Sequence, residues 1–141
     1  MKTLKKHMTD IIKDIPKNDE RLMLEMAQIG RFDKNKLTIY VRSDDPGNIP
    51  HFHIVDTQTL GAHFHTCVEI KTNRYFHHTG KEDVLSSKQR KELNSFLKSR
   101  YKNKGFSNWS WVLINWNGNN SDMLVNELQD QPDYTNIEEN K

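Results

Sequence analysis

The chain has a single cysteine, Cys67, among 141 residues. No disulfide can form within it, which matches a reducing compartment. It also lacks any long hydrophobic run: no segment nears the roughly 18 apolar residues that a membrane-spanning helix needs. The start, MKTLKKHMTDIIKD, is basic like a signal peptide, but Thr9 and Asp10 break the apolar stretch that should follow. These absences together read as a cytosolic protein with no membrane partner. Several chemical signatures are missing as well. There is no His-Glu-x-x-His and no paired Cys-x-x-Cys, so a structural zinc site is not expected, and no GxGxxG or P-loop, so no phosphate-cradling loop is present. Net charge is only +2, too little to mark a nucleic-acid binder without looking at how the charge is distributed.

Of the residues present, 34% are hydrophobic and 28% charged, enough apolar material for one modest core with solvated ends. A chain of this length buries roughly 68–70% of its unfolded surface. Residues 1–118 read as a single α+β domain and 119–141 as a polar, acidic, loosely ordered tail. Leu4, Met8, Ile11, Ile12 and Ile15 recur at helical spacing, giving an N-terminal amphipathic helix over 3–15 that Pro16 ends. Residues 19–30 fit helix or strand, but the Asp33-Lys34-Asn35-Lys36 turn favours a strand ending near Phe32. Leu37, Ile39 and Val41 then alternate with Thr38, Tyr40 and Arg42 as a half-buried strand.

The densest chemistry follows. His-Phe-His occurs twice, at 51–53 and at 63–65. Folding this stretch antiparallel about Gln58 sets His53 opposite His63 and His51 opposite His65. Side chains alternate faces along a strand, so all four imidazoles share one face, continued by Cys67 and Glu69. Phe52, Ile54, Ala62, Phe64, Val68 and Ile70 form the other, core face, so the histidines point away from the core. A second hairpin about Lys71–Arg74 returns through Tyr75, Phe76, His77 and His78. Ser86 and Gln89 make a capping box for a helix over 86–103, with Leu93, Phe96, Leu97 and Tyr101 on its apolar face. The segment NWSWVLINWNG, 108–118, is compatible with a buried helix or a buried strand. The expected fold is therefore a small antiparallel sheet of about four strands packed against a helix, with the N-terminal helix alongside.

Three kinds of site are compatible with these residues. Opposed residues in an antiparallel pair have Cβ atoms about 4.5–5.5 Å apart, so His51, His53, His63 and His65 can converge on a divalent transition metal such as zinc, with Cys67 or Glu69 in reach. Two of the same four histidines can serve as a metal-free acid–base pair, with Arg42, Lys71 or Arg74 on the phosphate, so the alternative is a His- or metal-dependent ribonuclease or phosphodiester hydrolase. Cys67 as a nucleophile is a weaker reading than Cys67 as a small packing residue. Finally, 88–104 holds seven Lys or Arg against one Glu. Lys88, Lys91, Lys98 and Lys102 oppose the apolar stripe and can follow the phosphates of RNA or DNA, or form a solvated face.

The run LTIYVRSDDPGNIPHFHIV resembles the signature of a small bacterial family of unknown function carrying a Pro-Pro-His-Phe-His-Val motif. Ile49 stands where that motif has its first proline. VEIKTNRYFHHTGKEDVLSSKQRKELNSFLKSRY is similar to the family's second half, a strand, a spacer and a Ser-capped charged helix. The likeness spans about 30–116; the N-terminal helix, the second His-Phe-His and the polar tail depart from it. The resemblance implies His51 and His53 as the functional motif. It also implies a binding or interaction protein of a toxin–antitoxin-like or mobile-element gene pair, with a partner encoded nearby.

Overall fold

In the computed structural model, residues 26–42, 49–76, 82–120 and 123–138 are described. The expected helix over 3–15 and the returning His77 and His78 lie outside them. Four strands, β1 (Met26–Phe32), β2 (Leu37–Arg42), β3 (His51–Asp56) and β4 (His65–Glu69), form one antiparallel sheet in the order β1-β2-β3-β4. Two helices follow, α1 (Ser87–Lys98) and α2 (Asn108–Asn119), and then one 3-10 turn, Tyr134–Asn136. The fold is α+β.

The 33–36 turn closes β1 on β2. Asp33, Lys34 and Asn35 all adopt positive φ, and the Lys36 amide donates to the Asp33 carbonyl at 3.0 Å. Short polar side chains tolerate that backbone region better than branched ones. A register shift between Gln28 and Gly30 bends β1. At Gly30 a Cβ would lie 2.4 Å from Phe96 Cζ, so the missing side chain is what lets α1 approach the strand.

The helices lie against β1 and β2. Ile39, Val41, Phe52, Ile54, Val68 and Ile70 meet Leu93, Leu97, Val112, Leu113 and Trp116 in one core, each such side chain worth about 1.5–3 kcal/mol on burial. Ala62 is exposed and Phe64 only half-buried, because both sit beyond the paired part of the hairpin. Strand β2, expected to be half-buried, is covered on both faces from Leu37 to Val41. Tyr40, on the face opposite the helices, is sequestered enough that burial pushes its phenol up to about 12 despite the nearby Arg31.

The capping box forms as expected, with the Gln89 amide donating to the Ser86 hydroxyl and the Ser86 amide to the Gln89 side chain. The helix stops at Lys98 rather than 103. Ser99 turns extended, its amide bonding Phe96 O and its hydroxyl Ser95 O, and Asn108 Nδ2 takes Phe96 O as well. Such local bonds satisfy the last carbonyls without another helical turn. The 108–118 segment is helical: Ser107 caps it, its hydroxyl accepting from the Ser110 amide. Trp109, Val112, Leu113 and Trp116 face inward, while Trp111 is half-buried against Tyr101, ring centroids 4.8 Å apart.

Residues 123–138, beyond α2, pack onto the domain. Tyr134 is wholly buried, with its hydroxyl donating to the Glu69 carbonyl at 2.8 Å and its ring edge-on to Phe52. Trp109 Nε1 donates to Gln129 O, Trp116 Nε1 to Met123 O, and Asn117 makes two bonds with the Val125 backbone. A polar, acidic composition hid this because one tyrosine and one valine supply the anchors.

Candidate metal centre

Strands β3 and β4 build the site. Their register pairs His51 with Glu69, His53 with Cys67 and Val55 with His65. The sequence-based fold about Gln58 had paired His53 with His63 and His51 with His65. The loop is longer than that hairpin because Asp56 organises it. The Asp56 carboxylate accepts from the amides of Thr59, Gly61, His63 and Phe64 and from the Thr59 hydroxyl. Burial acts to raise the Asp56 pKa, but these donors outweigh it and bring the carboxyl down to about 2. His63 is consequently an exposed loop residue. The slip is by an even number of residues, so His51, His53, His65 and Cys67 keep a common face.

That face is not open. His51 is 0% exposed, His53 3% and Cys67 0%; only His65 is half-buried. These histidines lie on the face opposite Phe52, Ile54, Val68 and Ile70, as expected, but that face is covered. The His51 ring lies against Phe76, centroids 4.3 Å apart, and against Trp116 at 5.5 Å. Its Nδ1 is 2.6 Å from the Ile49 carbonyl. A carbonyl only accepts, so Nδ1 carries the proton and Nε2 the lone pair, the arrangement by which protein metal sites orient an imidazole.

Among the described residues, His51, His53 and Cys67 each bring one ligand atom into a group whose members all lie within 4.8 Å of one another. These three can hold a metal ion. Cys67 Sγ is 3.3 Å from His53 Nδ1 and 3.5 Å from His65 Nε2, and the two imidazole nitrogens are 3.1 Å apart. The His53 and His65 planes differ by 4° with centroids 5.3 Å apart, so the rings meet nitrogen to nitrogen rather than face to face. Burial lowers the His65 pKa, with Arg42 and His51 acting the same way and Glu82 and Asp83 opposing. Neutral imidazole, the form that binds metals, is thereby favoured. Two backbone bonds hold the residue, His65 N to Asp83 Oδ2 at 2.9 Å and Asp83 N to His65 O at 2.8 Å.

Glu69, though buried, accepts from the Thr72 hydroxyl at 3.0 Å and is not part of the group. Cys67 was visible in the sequence as a co-facial neighbour; its place beside His53 came from the register. Of the basic residues, Lys88, Lys91 and Lys98 are exposed on α1, whereas Lys102 lies past its end, with Nζ 5.5 Å from the Tyr101 ring centre. The four lysines therefore do not form one helical stripe. A groove of about 390 Å³ between the 33–34 turn and α1, lined by Asp33, Lys91, Glu92 and Phe96 among others, shares no residue with the His–Cys group. No helix among the described residues is long and apolar enough to cross a membrane.

Comparison with family models, with curated proteins and with solved structures finds no match.

Proposed function

We propose that this protein is a small metal-binding domain whose centre takes one divalent transition ion, zinc by preference, through His51, His53 and Cys67. The observation that carries the reading is the buried meeting of two imidazoles and a thiol on adjacent strands. Imidazole and thiolate are borderline-soft donors that suit zinc and its neighbours, while magnesium and calcium prefer oxygen. Burial favours binding over turnover. A ribonuclease using His51 and His53 would need a phosphodiester beside rings that are at most 3% exposed, and the exposed His63 lies on the loop away from the His–Cys group, so the hydrolytic reading has less support than the binding one.

The test is metal analysis of the purified full-length chain after zinc exposure and gel filtration. One equivalent of zinc in the wild type, and well under half an equivalent in Cys67→Ser or His53→Ala, is the expected result. Substoichiometric zinc in the wild type, or full retention in both variants, would refute the proposal.

A further inference from the structure

Three ligands leave one corner of a tetrahedral zinc sphere. Whether water or protein takes that corner separates an open, catalytic type of site from a closed one. The answer lies in the triangle of His53 Nδ1, His65 Nε2 and Cys67 Sγ, whose edges are 3.1, 3.3 and 3.5 Å. With zinc–nitrogen bonds of about 2.0–2.1 Å and a zinc–sulfur bond of about 2.3 Å, tetrahedral geometry puts two nitrogens about 3.3 Å apart and nitrogen and sulfur about 3.6 Å apart. All three observed edges fall a little inside those values. The triangle has the size of one face of the coordination polyhedron. It is too small to hold a water between His65 and its neighbours, since a bridged pair stands well beyond 3.5 Å.

His51 supplies the remaining corner. Its tautomer leaves the lone pair on Nε2, and its ligand atom is already within 4.8 Å of those of His53 and Cys67. His65 is not in that 4.8 Å group and is joined to it through His53 and Cys67, so His51 and His65 must draw together as the ion binds to complete a tetrahedron of zinc dimensions.

We propose that His65 is the fourth ligand, so that His51, His53, His65 and Cys67 enclose one zinc-class ion with no coordination position left for water, and that the ion exchanges past His65. The second clause follows from exposure. The other three ligands are sealed in, and His65 alone is half-buried, at the open end of β4 where its backbone is held by Asp83. The inference rests on the reading of the group as a metal centre and adds the closed sphere and its exit.

Two measurements on the full-length protein test it. X-ray absorption at the zinc edge of the loaded wild type is expected to show one sulfur and three imidazoles; two imidazoles with an added oxygen would overturn the closed site. Cobalt(II) then replaces zinc in the wild type and in His65→Ala. The variant is expected to keep the thiolate-to-cobalt absorption. Its visible ligand-field bands should weaken as water raises the coordination number, and it should release metal to a chelator about tenfold faster or more. A variant with unchanged spectrum and release rate would overturn the fourth-ligand assignment while leaving the metal centre intact. A wild type that binds neither ion would overturn both.

Discussion

His53 lies directly across the β3–β4 ladder from Cys67, its Nδ1 3.3 Å from the cysteine sulfur, with both side chains buried. An ion held between them fastens two strands whose connecting loop spans 57–64, and a metal that binds only the folded chain stabilises it by mass action. At free zinc about 100 times the dissociation constant, the gain is about 2.7 kcal/mol, or roughly 10 °C in the unfolding midpoint. Thermal melts with zinc and with chelator should differ by that order in the wild type. They should superimpose in Cys67→Ser.

Asp56 organises the loop that sets this register. Replacing it with Ala strips the acceptor from four amides and a hydroxyl. Water replaces some of these bonds, so the expected loss is about 1–2 kcal/mol in denaturant unfolding. The pH dependence has a definite sign. The folded-state pKa is depressed from 3.8 to about 2, so the stabilisation is complete above pH 4 and disappears as pH falls towards 2. Wild type and Asp56→Ala should therefore converge in stability across that window. A constant difference from pH 5 to pH 2 would show that the carboxylate's charge contributes nothing.

Gly30 and Phe96 should be coupled. A methyl group at residue 30 meets the Phe96 ring edge at 2.4 Å, and the ring, near-parallel to Phe32 with centroids 6.3 Å apart, must swing aside. Gly30→Ala is expected to cost about 1–3 kcal/mol. In a Phe96→Ala background most of that penalty should vanish, which a double-mutant cycle measures.

Tyr134 tests whether the acidic C-terminal stretch belongs to the core. Tyr134→Ala should cost about 3–5 kcal/mol, the range for losing a buried aromatic. Tyr134→Phe removes only the hydroxyl that bonds Glu69 O and should cost about 1–2 kcal/mol. If both variants unfold with the wild type, the stretch is a separate tail.

Much of this arrangement follows from local rules readable in the chain. Alternation places His51 with His53, and His65 with Cys67, on one face of each strand because side chains repeat every second residue; the even register shift then keeps the two pairs on a common face. The Asp33–Lys36 turn and the Ser86 cap are likewise local, each formed by side chains a few residues from the backbone they satisfy. Tertiary structure decided the rest. The partner of His53 depended on how many residues the loop absorbs, and Asp56 sets that through bonds reaching as far as Phe64. The burial of His51 depended on Phe76 and Trp116, a hairpin and a helix away in sequence. Helix in 108–119 was settled by an inward face that needed β1 and β2 to pack against, and the ordering of the acidic stretch by a pocket for Tyr134. Periodicity specifies which side chains of one strand share a face; only the assembled fold specifies which strands' faces combine and what lies over them, because that takes residues distant in sequence.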